Sequence, residues 1–102
     1  MIRTKNLIHP GEILKEEFME PMGISQNRLA MDLRIPVPRV NAIVRGRRSI
    51  TADTAVRLGA YFGTGPEFWQ NLQGKFDLCQ ARKKLDEEEP GFFSALRKAV
   101  AL

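Results

Sequence analysis

The chain has 102 residues, of which 43% are hydrophobic and 27% are charged, with one cysteine and a formal net charge of +4. This composition predicts one compact domain in a reducing compartment, and it excludes an intrachain disulfide framework and an apolar membrane span of ~20 residues. The N-terminal segment lacks the apolar core of a signal peptide, so we expect a cytoplasmic protein with no membrane association.

Helix signals dominate the sequence from its first third onward, and no convincing strand is present. Pro10 and the glutamates that follow it predict a first helix over residues 10–19, which Pro21 and Gly23 end. Ser25 is a good N-cap for a second helix. A third helix starts near Pro38 and ends at Gly46, which supplies a left-handed stop, and a fourth, capped by Thr51, follows it.

The C-terminal third continues this helical pattern. Thr64 and Glu67 form a capping-box pair that predicts the start of a fifth helix. The acidic run at residues 86–89 breaks the pattern and is by default a solvated connector, although a basic partner could also dock there. A last amphipathic segment follows. These elements predict an all-α fold, with one domain over residues 9–64 and a C-terminal helical extension over residues 65–102.

Positive charge is concentrated in the middle of the chain. Residues 25–64 carry seven basic and two acidic side chains, whereas residues 1–24 have a net charge of −1 and residues 65–102 are neutral. All seven basic residues of the middle segment are arginines, which suit bidentate contacts with phosphate or guanine. This distribution is typical of a DNA-binding surface.

The second and third helices, with the tight turn between them, have the pattern of a helix-turn-helix. In that motif the second helix lies in the major groove with its N-terminal residues against base edges. The base-reading candidates are therefore Val37, Pro38, Arg39 and Ala42. Among them Arg39 alone can donate two hydrogen bonds to guanine, and its alternative role is that of a solvated surface arginine.

Phosphate contacts are predicted around the same pair of helices. Ser25 and Gln26 open the second helix, where free N–H groups favour a phosphate, although Ser25 can also be a plain N-cap. Asn41 contacts a base or a phosphate, or it faces solvent. The arginines after the third helix contact the DNA backbone or form a charged loop that favours solubility. The candidates are Ser25, Gln26, Arg34, Asn41, Arg45, Arg47, Arg48 and Thr51.

Several other residues have plainer interpretations than a reactive site. His9 is the only histidine and Cys79 the only cysteine, so we expect no metal site, and His9, next to Pro10, is expected to begin the first helix. The absence of catalytic motifs predicts a non-enzyme without cofactors. The aromatic residues of the C-terminal third favour core or dimer packing over base stacking. The candidates for a dimer interface are Trp69, Leu72, Phe76, Phe92, Phe93 and Leu96.

The stretch from Ile13 to Phe62 resembles the Cro/C1 (XRE) type of helix-turn-helix. Three further motifs, HPGE at residues 9–12, RG at residues 45–46 and EFW at residues 67–69, resemble the HigA (VapI-like) antitoxins. The resemblance covers roughly residues 7–85 and implies a compact five-helix bundle. It also implies a homodimer that binds a palindromic operator, represses its own operon and neutralises a small basic RNase toxin of the RelE superfamily.

One position departs from the pattern of the family. The turn between the two DNA-docking helices commonly has a glycine where this chain has Arg34. A left-handed conformation would cost an arginine roughly 1 kcal/mol. Either the turn takes another shape, or Arg34 tolerates the strain and reaches a phosphate.

Three functions are compatible with these residues. The first is an autoregulating antitoxin, the second is a free-standing repressor without a toxin partner, and the third is an interaction module that no longer binds DNA. The arginine distribution argues against the third. A small basic open reading frame beside this gene would favour the first, and its absence would favour the second.

Overall fold

The computed structural model describes residues 8–100, which form six helices and no strand. This confirms the predicted all-α fold. Residues 1–7, which include most of the segment judged not to be a signal peptide, and the last two residues of the predicted extension lie outside the described part. The helices are α1, which comprises Pro10–Ile13, Leu14–Met19 and Glu20–Met22, then α2 (Gln26–Leu33), α3 (Val37–Val44), α4 (Ala52–Phe62), α5 (Pro66–Glu88) and α6 (Phe92–Val100).

Helix α1 is longer than predicted because Pro21 does not end it. The segment Leu14–Met19 is π-helical, and the N–H of Glu20 donates to the carbonyl of Lys15, five residues back. A wider turn before a proline relieves the clash of its ring with the preceding turn. The helix stops only at Gly23, which has a φ of 66°.

The predicted N-caps are confirmed for α2 and α4 but not for α5. The Ser25 hydroxyl accepts from the N–H of Arg28, and the Thr51 hydroxyl accepts from the N–H of Thr54. The predicted capping box at the start of α5 is wrong, because Gly65 is the N-cap and no side chain caps it. The Thr64 hydroxyl instead donates to the carbonyl of Gly65.

One apolar core joins the first five helices. Trp69 is fully buried in it, so the first turns of α5 pack with the helix-turn-helix instead of forming a separate unit. Helix α4 lies against α5, and α1 contacts both α3 and α5. The buried hydrophobic residues are Leu14, Met19, Leu29, Ala30, Leu33, Ile35, Val40, Ile43, Ile50, Ala55, Leu58 and Trp69.

The C-terminal part of the chain extends away from this core. Helix α5 has 23 residues and continues through Glu88, so the first three residues of the acidic run are helical and only Glu89 lies after the helix. Lysine and glutamate favour helix, whereas Pro90 cannot continue it. No residue of α6 is buried, and the described chain measures 56 × 25 × 23 Å. Within residues 8–100 no helix is long and apolar enough to span a membrane.

Candidate nucleic-acid interface

The turn between α2 and α3 is held in a left-handed conformation at Arg34. This residue has φ 61° and ψ 45°, and it is the one non-glycine residue of the described chain with a positive φ. Its side chain is exposed, while Ile35 next to it is buried and donates its N–H to the carbonyl of Ala30 at 3.0 Å. The possibility that the turn takes another shape is therefore wrong, and Arg34 occupies the position that favours glycine.

A side-chain hydrogen bond joins α2 to α3 on the predicted DNA-facing side. The amide of Asn41 donates to the side-chain oxygen of Gln26 at 3.1 Å, and both residues are half-buried. Gln26 is the first residue of α2, directly after the Ser25 cap. The bond therefore fixes the predicted phosphate-binding end of α2 relative to the middle of α3, and Asn41 does not simply face solvent.

The N-terminal turn of α3 presents the predicted base-reading residues. Val37 and Pro38 are exposed and Ala42 is half-buried, whereas Val40 and Ile43 on the opposite face belong to the core. This division results from the helical spacing of the apolar residues, since positions three apart share a face. It leaves one face of α3 available to a DNA groove.

Arg39 is drawn back toward α4 in the structure. One of its guanidinium nitrogens, Nη1, lies 4.0 Å from Oδ2 of Asp53, and its side chain is 31% exposed. Its Nε is buried without a hydrogen-bond partner. Asp53 also accepts from Nε of Arg57 at 2.9 Å, so it keeps a partner if Arg39 moves away.

The ion pair with Asp53 is weak enough for Arg39 to leave it and contact a base. The 4.0 Å ion pair involves a carboxylate that is 60% exposed. Such surface pairs contribute about 0–1 kcal/mol, whereas a bidentate contact to guanine provides about 1–3 kcal/mol of discrimination. The position seen here is therefore compatible with base readout.

The loop after α3 displays its arginines to solvent. Arg45, Arg47 and Arg48 are all exposed. Gly46, with a φ of 75°, is the predicted left-handed stop of α3. Its N–H donates to the carbonyl of Ile43, and the N–H of Arg47 donates to the carbonyl of Ala42 at 2.8 Å. We refer to residues 45–49 as the arginine loop.

Residues of the HPGE motif lie against the end of α3 and close to the arginine loop that follows it. The Nδ1 atom of His9 accepts from the N–H of Gly11 at 2.9 Å, which confirms His9 as the residue that starts α1. A β-carbon at Gly11 would lie 1.7 Å from the carbonyl oxygen of Ile43, so this position requires glycine for α1 to approach α3. The His9 ring also lies beside Gly46 and meets Phe76 edge-on, with the ring centres 4.9 Å apart.

Burial affects the ionisation of His9. It lowers the pKa of His9 below its ordinary value of 6.5, and the negative charge of Asp77 opposes this shift. The neutral imidazole is the form that can accept a hydrogen bond at Nδ1. The cap at the start of α1 therefore depends on a neutral His9.

Two contacts that brace the motif were not predicted from the sequence. The Tyr61 hydroxyl donates to Asp32 at 2.7 Å, and this bond, with one from Arg28, lowers the pKa of Asp32. Arg57 donates from Nη1 to the carbonyl of Leu33 at 2.8 Å. The i,i+4 spacing of Arg28 with Asp32 was a visible signal, but the contacts that connect α2 to α4 depend on the tertiary fold.

The predicted dimer residues fall into a group that packs within the bundle and a group that is accessible at its surface. Trp69 is fully buried in the core, so it is removed from any dimer surface, and Phe76 packs on His9. Leu72 is half-buried beside an open groove of about 550 Å³ on α5 that Phe68 and Leu78 also line. The remaining candidates lie on α6, where no residue is buried: they are Phe92, Phe93 and Leu96.

Comparison with known proteins agrees with this geometry. A helix-turn-helix family model matches residues 15–69. Virulence-associated protein I of Dichelobacter nodosus is 51% identical over 76 residues, which cover 74% of this chain and 70% of that protein. Antitoxin HigA-1 of Vibrio cholerae is 41% identical over 89 residues, which cover 86% of this chain and 84% of that protein.

A solved structure shows the same fold. The Pseudomonas aeruginosa antitoxin HigA, solved with the higBA promoter, superposes with a TM-score of 0.78 at 45% identity, covering 82% of this chain and 91% of that one. The described geometry, the matched helix-turn-helix and these relatives support one assignment. The chain belongs to the HigA antitoxins within the Cro/C1-type helix-turn-helix family.

Proposed function

We propose that this chain is an autoregulating antitoxin that binds its own operator as a homodimer and neutralises a small basic toxin. The observation that carries the DNA-binding part is the exposed N-terminal turn of α3 together with the exposed arginine loop that follows this helix, on a fold shared with a HigA solved with its promoter DNA. A helix-turn-helix with these features inserts α3 into the major groove. Because its target is genomic DNA, we also propose a cytoplasmic location.

The proposed division of labour follows the exposure and chemistry of each side chain. Arg39 reads guanine, and Val37, Pro38 and Ala42 contribute apolar contacts, including contacts with thymine methyl groups. The phosphate contacts come from the N-terminus of α2, the turn at Arg34, the arginine loop and the N-terminus of α4. They involve Ser25, Gln26, Arg34, Asn41, Arg45, Arg47, Arg48 and Thr51.

A dimer explains how so small a motif achieves specific repression. Two copies related by a twofold axis would place their α3 helices in half-sites about 34–36 Å apart, or a multiple of that distance, on a palindrome. Leu72, Phe92, Phe93 and Leu96 provide accessible apolar side chains on α5 and α6 for such an interface. We propose that these residues form it.

The DNA-binding proposal is tested by two variants with a matched control. Arg39→Ala should cost about 1–3 kcal/mol on the operator and little on scrambled DNA. The triple variant Arg45→Ala/Arg47→Ala/Arg48→Ala should weaken binding to both sequences, and it should flatten the log–log salt dependence by about 0.9 per lost contact. Arg82 is an exposed arginine on the distal part of α5, so the control variant Arg82→Ala should change neither the affinity for DNA nor its salt dependence. Equal affinities for wild type and Arg39→Ala on the operator would remove Arg39 from base readout.

The toxin-binding part rests on the relatives and on charge. The proposed partner is a small basic RNase of the RelE superfamily encoded beside this gene. The DNA-facing segment is cationic and the rest of the chain is neutral or acidic, so a basic partner can dock without competing for DNA. Co-expression with the neighbouring gene product should yield a co-purifying complex and restore growth. If no such gene lies beside this one, if its product does not inhibit growth, or if co-expression does not restore growth, the free-standing repressor is favoured.

A further inference from the structure

Gln73 is a buried polar side chain that is hydrogen-bonded to the backbone at the end of the arginine loop. It lies on α5 and is 6% exposed, and within residues 8–100 Thr54 is the other buried polar side chain. Its Oε1 accepts from the backbone N–H of Ile50 at 2.8 Å, and its Nε2 donates to Oδ1 of Asp77 at 2.9 Å. A buried amide is costly unless its groups are hydrogen-bonded, and here both ends are used.

The partner of Gln73 lies at a sensitive position. Ile50 directly follows the arginine loop and directly precedes Thr51, the N-cap of α4. The Ile50 side chain is buried in the core. Because Ile50 lies between helices α3 and α4, its N–H has no helical partner, and Gln73 supplies the acceptor from 23 residues away.

The other end of the arginine loop is supported by the same face of α5. Gly46 lies close to the His9 ring, and that ring contacts Phe76, which lies three residues after Gln73 and therefore on the same side of the helix. Helix α5 thus reaches both ends of the loop. One end is held by the hydrogen bond from Ile50 to Gln73, and at the other end the His9 ring, which contacts Phe76, lies close to Gly46.

We infer that Gln73 is a positioning residue for DNA binding: it fixes the end of the arginine loop so that the loop arginines meet the phosphates without further ordering. Gln73 is buried, so it acts through Ile50 and does not contact DNA itself. The inference rests on the proposed phosphate contacts of the arginine loop. Loss of the bond would leave the loop free to sample other positions, and ordering it on DNA would then weaken binding to every sequence.

The test compares three variants of the full chain. Gln73→Met keeps the length of the side chain but removes both hydrogen bonds. Gln73→Glu/Asp77→Asn keeps both bonds and reverses only the one between positions 73 and 77, because the carboxylate at position 73 would accept from the Ile50 N–H as before and from the amide at position 77. Gln80→Met is the matched control, since Gln80 lies two turns further along the same face of α5 and is exposed.

Two readouts separate positioning from general stability, both taken well below the unfolding temperature of each variant. Hydrogen exchange at the Ile50 amide reports the bond itself, independently of DNA. Operator affinity across a salt series reports the arginine loop. In Gln73→Met we expect faster exchange at Ile50, about two- to tenfold weaker binding to specific and scrambled DNA alike, and a shallower salt slope. The double variant should restore all three, and the control should match wild type.

Each contrary result has a definite meaning. Unchanged Ile50 exchange in Gln73→Met, or faster exchange with unchanged affinity and salt slope, would overturn the inference. Failure of the double variant to restore binding while it restores Ile50 protection would also overturn it. If the triple arginine variant already binds DNA as wild type does, the proposed phosphate contacts fail, and the exchange at Ile50 still shows whether Gln73 holds the loop.

Discussion

Replacing Arg34 with glycine tests the stability and the function of the turn together. Arg34 lies at φ 61° and ψ 45°, a conformation that costs a residue with a β-carbon about 1 kcal/mol relative to glycine. Part of that gain is offset because glycine is more flexible in the unfolded chain. We therefore expect Arg34→Gly to raise the free energy of unfolding by up to about 0.6 kcal/mol, and 1 kcal/mol corresponds to a Tm increase of about 4–8 °C at this size.

The same variant should bind DNA more weakly even though it is more stable. The Arg34 side chain is exposed, and it lies in the turn directly before α3, the proposed recognition helix. If Arg34 contacts a phosphate, its loss weakens binding to all sequences and reduces the salt slope by about 0.9. Arg34→Ala separates the two effects, because it removes the charge but keeps the β-carbon and therefore the strain.

The assays are urea and thermal unfolding for stability, and fluorescence anisotropy with operator and scrambled DNA over a salt series for binding. The glycine and alanine variants should lose the same affinity, and the glycine variant alone should be more stable than wild type. A glycine variant no more stable than the alanine variant would refute the argument from strain. Salt slopes equal to that of wild type in both variants would refute the phosphate contact.

Two further predictions concern the ends of the described chain. Because the folded pKa of His9 is lowered, the stability that neutral His9 provides is present above pH 6.5 and is lost as the pH falls through the folded pKa. His9→Asn, which keeps an acceptor at the N-cap without titrating there, should show a weaker loss of stability between about pH 7.5 and pH 5, and an identical loss would exclude His9 as its cause. Deleting residues 90–102 should leave the Tm of the bundle nearly unchanged, since no described residue of α6 is buried, but should shift a dimer toward monomer in light scattering. A dimer of unchanged affinity would place the interface on α5.

The helical architecture could be predicted because local signals determine it. The caps at Ser25 and Thr51 and the stop at Gly46 each require a specific residue type at a single position, and the structure has all three where the sequence predicted them. The buried stripe of α3, Val40 and Ile43, follows directly from helical spacing. These features depend on neighbours within a few residues, which a sequence displays directly.

The features that were missed depend on contacts between distant segments or on competition between local rules. The π-helical segment of α1 arises from Pro21 in a helix whose buried residues pack against the core, so packing outweighs the usual effect of a proline. The acceptor for Ile50 lies 23 residues away on Gln73, and no periodicity points to it. Trp69 was compatible with core or interface by spacing alone, and only the packing of α5 against α4 distinguishes the two.

The contacts on either side of Arg34 explain how the strained turn persists. Asp32 is held by the Tyr61 hydroxyl, and the carbonyl of Leu33 accepts from Arg57, so the two residues before the turn are both tied to α4. Backbone strain survives where the surrounding structure over-determines it. Arg57 also shares Asp53 with Arg39, the proposed base reader. Helix α4 therefore supports the left-handed turn through Tyr61 and Arg57, and through Arg57 the same helix also binds the Asp53 carboxylate beside which Arg39 lies.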